Sequence, residues 1–211
     1  MSRTFTSFKY HNYRLWWISN IFASTATWMQ RVAQDWVVLM VLTDQSGFAV
    51  GVVTALQFLP QLLLSIPAGM VADRFNRRRI IQICQCIVAL CGLLTGILLL
   101  TGVAALWHIY IIALITGVAD CLTSPTRQAF VSELVTKEDL PNAVGLNSTA
   151  FNSARLIGPG LAGFMIAGIG PGWVFIANFV LFIVPVLGLS LMDPARLYRP
   201  EKTSRTKGCL L

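Results

Sequence analysis

Residues 80–119 contain no Asp, Glu, Lys or Arg, an uninterrupted run of 40 residues, and residues 156–192 are charge-free in the same way. One helix needs about 20 mostly apolar residues to cross the hydrocarbon of a bilayer, so each run is long enough for two crossings. Only 12% of the chain is charged, against roughly 25% in an ordinary soluble domain, too little to solvate a surface of this size. With 55% hydrophobic residues the chain is also too apolar to be disordered. Its five cysteines, Cys84, Cys86, Cys91, Cys121 and Cys209, form no Cys-x-x-Cys pair and have no histidine at ligand spacing. This pattern reads as an integral membrane protein with no metal and no cofactor.

The breaks in the apolar pattern predict an all-α membrane bundle of six transmembrane helices at about 14–42, 48–70, 80–101, 105–126, 143–168 and 172–192, within roughly four residues at each end. They frame a terminal segment 1–13, the bundle 14–192 and a basic tail 193–211. Fourteen of the sixteen Lys and Arg fall in the N-terminus, the second and fourth loops and the tail, and none falls in the three opposite loops. The positive-inside rule then puts both termini in the cytoplasm and the chain, multi-pass, in the inner membrane. Basic residues between apolar runs mark membrane orientation, so the lipid bilayer is the expected partner and nucleic acid is not. The longest cytoplasmic connection, about 127–142, reads as a short surface helix through Ser132-Glu133-Leu134 and Lys137-Glu138-Asp139. No loop is long enough to house enzymatic chemistry. His11 and His108 stand at opposite faces, and no Walker-type loop supports ATP-driven transport.

Four charged residues fall inside the spans, where each costs roughly 2.5–3.5 kcal/mol at the helix centre. Arg31 and Asp35 lie on helix 1, Asp120 on helix 4 and Arg155 on helix 5. Arg31 and Asp35 are four residues apart, as are Gln30 and Gln34, which draws a polar stripe along helix 1. Either Arg31 and Asp35 neutralise each other within the helix, or they face a watery cavity in which Asp35 exchanges protons or meets a cation. Asp120 has no acid–base partner on its own helix, which points to function. Arg155 is either a packed arginine bonded to backbone carbonyls or the counter-ion of Asp120. Helices 1 and 4 open two three-helix units, each with a carboxylate, the pattern of an inverted repeat with its site near mid-membrane.

The second loop, Gly69-Met70-Val71-Ala72-Asp73-Arg74-Phe75-Asn76-Arg77-Arg78, resembles the signature between helices 2 and 3 of the major facilitator superfamily. Gly69 is expected to allow close helix packing and Asp73 to cap a helix N-terminus. On helix 5, Gly145, Ala154, Gly158-Pro159 and Ala162-Gly163 resemble the superfamily's antiporter motif, with alanine at two of its glycines. A helix 4 arginine of the superfamily is replaced here by Leu114, which removes one usual route of proton coupling. Tyr13-Arg14-Leu15-Trp16, Thr27-Trp28-Met29-Gln30, Gln57-Phe58-Leu59-Pro60 and Ala154-Arg155-Leu156-Ile157-Gly158-Pro159 look like the bacterial efflux branch that contains enterobactin and macrolide exporters. The resemblance covers residues 8–192.

The resemblance implies a secondary active transporter exporting small amphipathic molecules, of drug or siderophore class, against an inflow of protons. It makes Asp35, Arg31, Asp120, Arg155 and Gln34 the candidate transport and coupling residues. Gly69, Asp73, Arg74, Arg77 and Arg78 would gate alternating access, and Gly145, Ala154, Gly158, Pro159, Ala162 and Gly163 would form the helix 5 packing motif. Superfamily members have twelve helices in two halves, so six helices imply an N-terminal half, with residues 199–211 as the start of a linker, or a homodimer. The alternative is a non-transporting membrane protein or an assembly partner of a second six-helix half.

Overall fold

A computed structural model describes residues 3–193 and 197–198; most of the expected tail, including residues 199–211 and Cys209, lies outside the described residues. Within them the chain is all helix, with no strand. A short 3-10 segment, Arg3–Lys9, leads into six long helices: α1 (His11–Val37), α2 (Gly47–Arg74), α3 (Arg77–Leu100), α4 (Leu106–Val131), α5 (Leu140–Ile169) and α6 (Pro171–Ser190). A wider π turn, Val38–Leu42, prolongs α1. Four of the six, α2, α3, α4 and α6, are long and apolar enough to cross a membrane on composition alone. α1 and α5 are as long but more polar, because α1 turns Asn12, Ser19, Asn20, Ser24, Gln30 and Gln34 into the bundle.

Several helices outrun their expected bounds. α2 continues to Arg74 rather than 70 and α4 to Val131 rather than 126, while α5 starts at Leu140 rather than 143. Apolar length reports bilayer width, whereas the backbone ladder continues as long as the next carbonyl is in reach. Arg127, expected in a loop, is therefore a helical residue of α4. The short surface helix expected between α4 and α5 is absent: residues 132–134 and 137–139 form turns.

The tight connections follow from local chemistry. Asn76 caps α3 by accepting the Arg79 amide at 3.3 Å, and Ser46 caps α2 by accepting the Ala49 amide at 3.3 Å. Asp73, expected to do such capping, instead lies in the last turn of α2 with its side chain exposed. Gly102 (φ +73°) and Gly170 (φ +88°) reverse the chain after α3 and α5 in backbone conformations that a side chain disfavours. Pro171 then opens α6, where its missing N–H leaves no bond unmade.

Packing is pairwise and symmetric. α1 packs on α5 and α6, α2 on α4, and α3 on α4 and α6. Exchanging α1, α2, α3 for α4, α5, α6 maps this set of contacts onto itself, and an offset of three helices reverses chain direction. The bundle is therefore an inverted three-plus-three repeat. Gly117 of α4 and Gly158 of α5 mark two close helix crossings. A methyl group on Gly117 would stand 2.6 Å from the Gln57 carbonyl oxygen and 2.8 Å from that of Leu56. On Gly158 it would stand 2.7 Å from Trp28 Cβ.

At one end of the bundle, the one that carries the basic loops, Tyr13, Trp16, Ile81, Phe130, Leu134 and Leu189 pack in an apolar cluster. The chain start is fastened onto it. Tyr10 donates to Asp139 Oδ2 at 2.7 Å, Lys9 Nζ lies 2.6 Å from the same oxygen, and Tyr13 donates to the Ala143 carbonyl at 2.9 Å. Hydrogen bonds from Lys9 and Tyr10 hold the Asp139 carboxyl below the usual carboxylate range, and Asp139 in turn raises the Lys9 amine.

Two outcomes follow from these contacts. Gly117→Ala forces α2 away from α4 against rigid backbone and should cost about 1–3 kcal/mol, seen as a lower thermal midpoint in detergent. Gly168→Ala, whose added methyl meets nothing within 4 Å, should leave the midpoint unchanged. The Asp139 fastening has a depressed carboxyl, so it holds fully above the unfolded value near ~3.9 and is lost as pH falls through the lower folded value. Hydrogen exchange of residues 5–10 should therefore stay slow at pH 5–8 and accelerate in strong acid, and Asp139→Asn should accelerate it at neutral pH.

Candidate functional site

A cavity of about 900 Å³ lies between the α1–α5 pair and the α2–α4 pair. Its wall begins at the basic end with Trp16, Val131 and Leu140 and reaches Arg31, Phe58 and Arg155. Leu140 and Arg155 are fifteen residues apart on α5, so the cavity penetrates about 22 Å. It thus reaches mid-bundle from one side.

At its deep end the helices place opposite charges across the repeat. Arg31 of α1 donates to Asp120 Oδ2 of α4 at 2.7 Å. The two side chains keep 20% and 30% of their exposure, and both line the cavity. The Arg31 guanidinium also lies 5.3 Å from the Trp28 ring centroid and 4.9 Å from that of Phe58. This corrects both sequence alternatives for these residues: Arg31 reaches across to α4 rather than along its own helix, and Arg155 is not the counter-ion of Asp120. Arg155 also lies over the Trp28 ring, its guanidinium 5.3 Å from the centroid. Asp35 does not line the cavity, and its Oδ1 is buried without a hydrogen-bond partner among the described residues. It sits one turn beyond Arg31 on the same helix, at the four-residue spacing that helical ion pairs use.

Gln34, expected in the site, is buried between helices instead. It donates to the Ile109 carbonyl and accepts from Gln57 Nε2, each at 3.4 Å, and so ties α1 to α4 and α2. Gln30 accepts from Asn178 of α6 at 2.7 Å. The stripe on α1 thus divides by angle: Arg31 faces the cavity, while the two glutamines lock neighbouring helices.

At the basic end, Arg77 is the junction of three segments. It donates to Glu133 Oε1 at 2.8 Å and to the Ala129 and Ala72 carbonyls at 3.3 and 3.4 Å, and lies 3.5 Å from Asp73. Arg78 donates to the Ser190 and Met192 carbonyls at 2.7 and 3.0 Å and so caps the end of α6. Arg74 is exposed. Gly69 has nothing within 4 Å of an added methyl, so it makes no close helix contact here. The helix 5 motif splits in two. Ala154, Gly158 and Ala162 are buried, Gly158 against α1, whereas Gly145 and Gly163 face open space and Pro159 lies mid-helix.

Sequence reasoning missed Arg127 and the aromatic wall. Arg127 lines the cavity with its Nε buried and unbonded among the described residues. It is seven residues, two helical turns, from Asp120, and that spacing was the available signal. Trp28, three residues from Arg31, carried the same kind of signal, as does Phe151, whose ring meets it edge-on at 6.1 Å. Among the described residues no cluster of His, Cys, Asp and Glu could hold a metal.

A family model described as transmembrane secretion effector matches residues 2–203. The chain is 29% identical to the staphyloferrin A transporter of Staphylococcus aureus over 76% of this chain and 40% of that protein. It is 31% identical to multidrug resistance protein 1 of Bacillus subtilis over 72% of this chain and 38% of that one. It therefore spans about two-fifths of the length of these curated relatives. A solved bacterial homologue of the human lysosomal transporter Spinster, inward-facing and occupied, shares the fold: TM-score 0.57 at 22% identity, over 86% of this chain and 42% of that one.

The Arg31–Asp120 pair is half-shielded, so its removal should show in stability. Asp120→Asn leaves a cation facing a semi-dry wall and should cost about 1–3 kcal/mol, between exposed and fully buried pairs. Adding Arg31→Gln should recover much of that loss in a double-mutant cycle read by thermal unfolding in detergent.

Proposed function

The chain belongs to the transmembrane secretion effector family of the major facilitator superfamily, transporters rather than enzymes, and from that premise we propose that it is a six-helix bundle of a proton-coupled exporter. Its cargo would be small amphipathic molecules of drug or siderophore class, carried across the bacterial inner membrane. The observation that carries this reading is the Arg31–Asp120 pair across the repeat at the deep end of a cavity, with the unpaired Asp35 one turn away. A proton arriving on Asp120 neutralises that carboxylate and releases Arg31. Cargo and the Asp120 carboxylate would thereby compete for one guanidinium.

In this reading the basic end and both termini are cytoplasmic, and the cavity opens inward. A second six-helix bundle, from the same chain type or another, would close the open side. α2 and α5 offer it Leu62, Ile66, Leu156 and Phe164, each about four-fifths exposed here. Gly69, Asp73 and Arg74 at the end of α2, and Gly145 and Gly163 on α5, would meet that bundle. Rocking of one bundle against the other would then alternate access, with Arg77 and Arg78 keeping the basic end of this bundle rigid.

The test is efflux from vesicles with an imposed pH gradient, in the assembly that contains the second bundle. Asp35→Asn and Asp120→Asn should each abolish gradient-driven efflux while leaving membrane abundance intact. Asp73→Asn should slow it, again without loss of protein. Full efflux by both membrane carboxylate variants would remove proton coupling from these residues. Co-purification with a six-helix partner but no substrate-linked proton flux would favour an assembly role instead.

A further inference from the structure

The charged lining of the cavity is lopsided. Arg31, Arg127 and Arg155 face it against a single carboxylate, Asp120. Asp120 is committed to Arg31 at 2.7 Å, and Arg127, two turns along the same helix, forms no ion pair among the described residues. Arg155 forms no ion pair among the described residues. The other elements do not redress the balance: α2 contributes neutral Phe58 and Gln61, Arg155 is the only charged lining residue of α5, and Asp35 of α1 is turned away from the cavity. Arg155 is exposed and Arg127 has its Nε buried without a hydrogen-bond partner among the described residues, so the wall itself neutralises neither cation.

Their geometry suits one kind of anion. Trp28 is flanked by Arg31 and Arg155, each 5.3 Å from its ring centroid. Stacking on an indole fixes the plane of a guanidinium and leaves its N–H edge free to fork a carboxylate. Phe151 and Phe58 extend the apolar surface beside that edge, and Asn147 and Asn152 add neutral hydrogen-bonding groups. A volume near 900 Å³ holds an organic molecule rather than a bare ion. An arginine serving the fold alone would spend its donors on backbone carbonyls, as Arg77 and Arg78 do; Arg155 donates to none among the described residues.

We propose that this cavity selects organic anions, molecules bearing carboxylates on a partly apolar body, with Arg155 as the principal anchor and Arg127 as a second cationic contact nearer the basic end. The proposal rests on the transport reading only in calling that anion the cargo; its charge is decided by the cavity wall.

The test is equilibrium binding to the full chain in lipid nanodiscs, with three probes built on one ring: naphthalene-2,6-dicarboxylate, its neutral diamide and the bis(trimethylammonium) analogue. The dianion should bind saturably and at least about tenfold more tightly than the other two. Arg155→Gln should remove about tenfold of that affinity without changing diamide binding, and Arg155→Lys should restore part of it. Arg79→Gln, exposed at the start of α3, should change nothing. Equal affinity for the three probes, preference for the cation, or unaltered dianion binding by Arg155→Gln would overturn the proposal. Should Arg155→Gln fail to fold, the unmodified chain decides: dianion binding must weaken with added salt while diamide binding does not. Gradient-driven movement of the probes is scored apart, in vesicles that hold the assembly with the second bundle. Anion binding without proton-driven movement removes the transport reading and leaves the site, whereas proton-driven movement of the cation alone removes the site and leaves the reading.

Discussion

Inside a bilayer no water is available to bond a stranded polar group, so every polar side chain on a spanning helix must find its partner within the bundle or face a cavity. α1 carries that constraint for the whole molecule. Gln30 is satisfied by Asn178 of α6, Gln34 by the Ile109 carbonyl of α4 and by Gln57 of α2, and Asn12 by the Asp193 backbone beyond α6. Each bond names a neighbour for α1, and together they fix its rotation. With its amides turned to α2, α4 and α6, α1 has Arg31 left for the cavity, where Asp120 answers it.

The inverted repeat turns this local solution into an architecture. Because α4 occupies in the second unit the place of α1 in the first, the two helices that carry Arg31 and Asp120 stand as symmetry mates across the bundle. Their opposite charges meet where the two units join. α3 and α6 pack against each other, and α2 and α5 flank the cavity. Glycine at the α2–α4 and α1–α5 crossings brings backbones within reach of each other, which leaves the bundle tight at those lines and open between them.

Much of the molecule was legible in the charge pattern. The six helices, the breaks at Gly102 and Gly170, the paired units and the candidate residues Arg31, Asp120 and Arg155 all follow from where charges are missing and where a few remain. Helix ends were less legible, because apolar length measures the bilayer and not the backbone ladder; Arg127 was misplaced for that reason. Asp73 and Gly69 were given roles inside this bundle that the exposure of Asp73 and the open space beside Gly69 do not support. A local motif carries no information about which bundle its side chains face.

By itself the sequence determined that this chain is a six-helix membrane bundle, because an uncharged run of about 20 residues has one favourable place to go and basic loops bias its direction. Only the tertiary structure decided which charges meet. Spacing along one helix made Arg31 and Asp35 natural partners, yet rotation of α1 about its axis, set by its buried amides, delivers Arg31 to Asp120. That rotation depends on contacts with α2, α4 and α6, far away in the chain, and no periodicity within α1 encodes it.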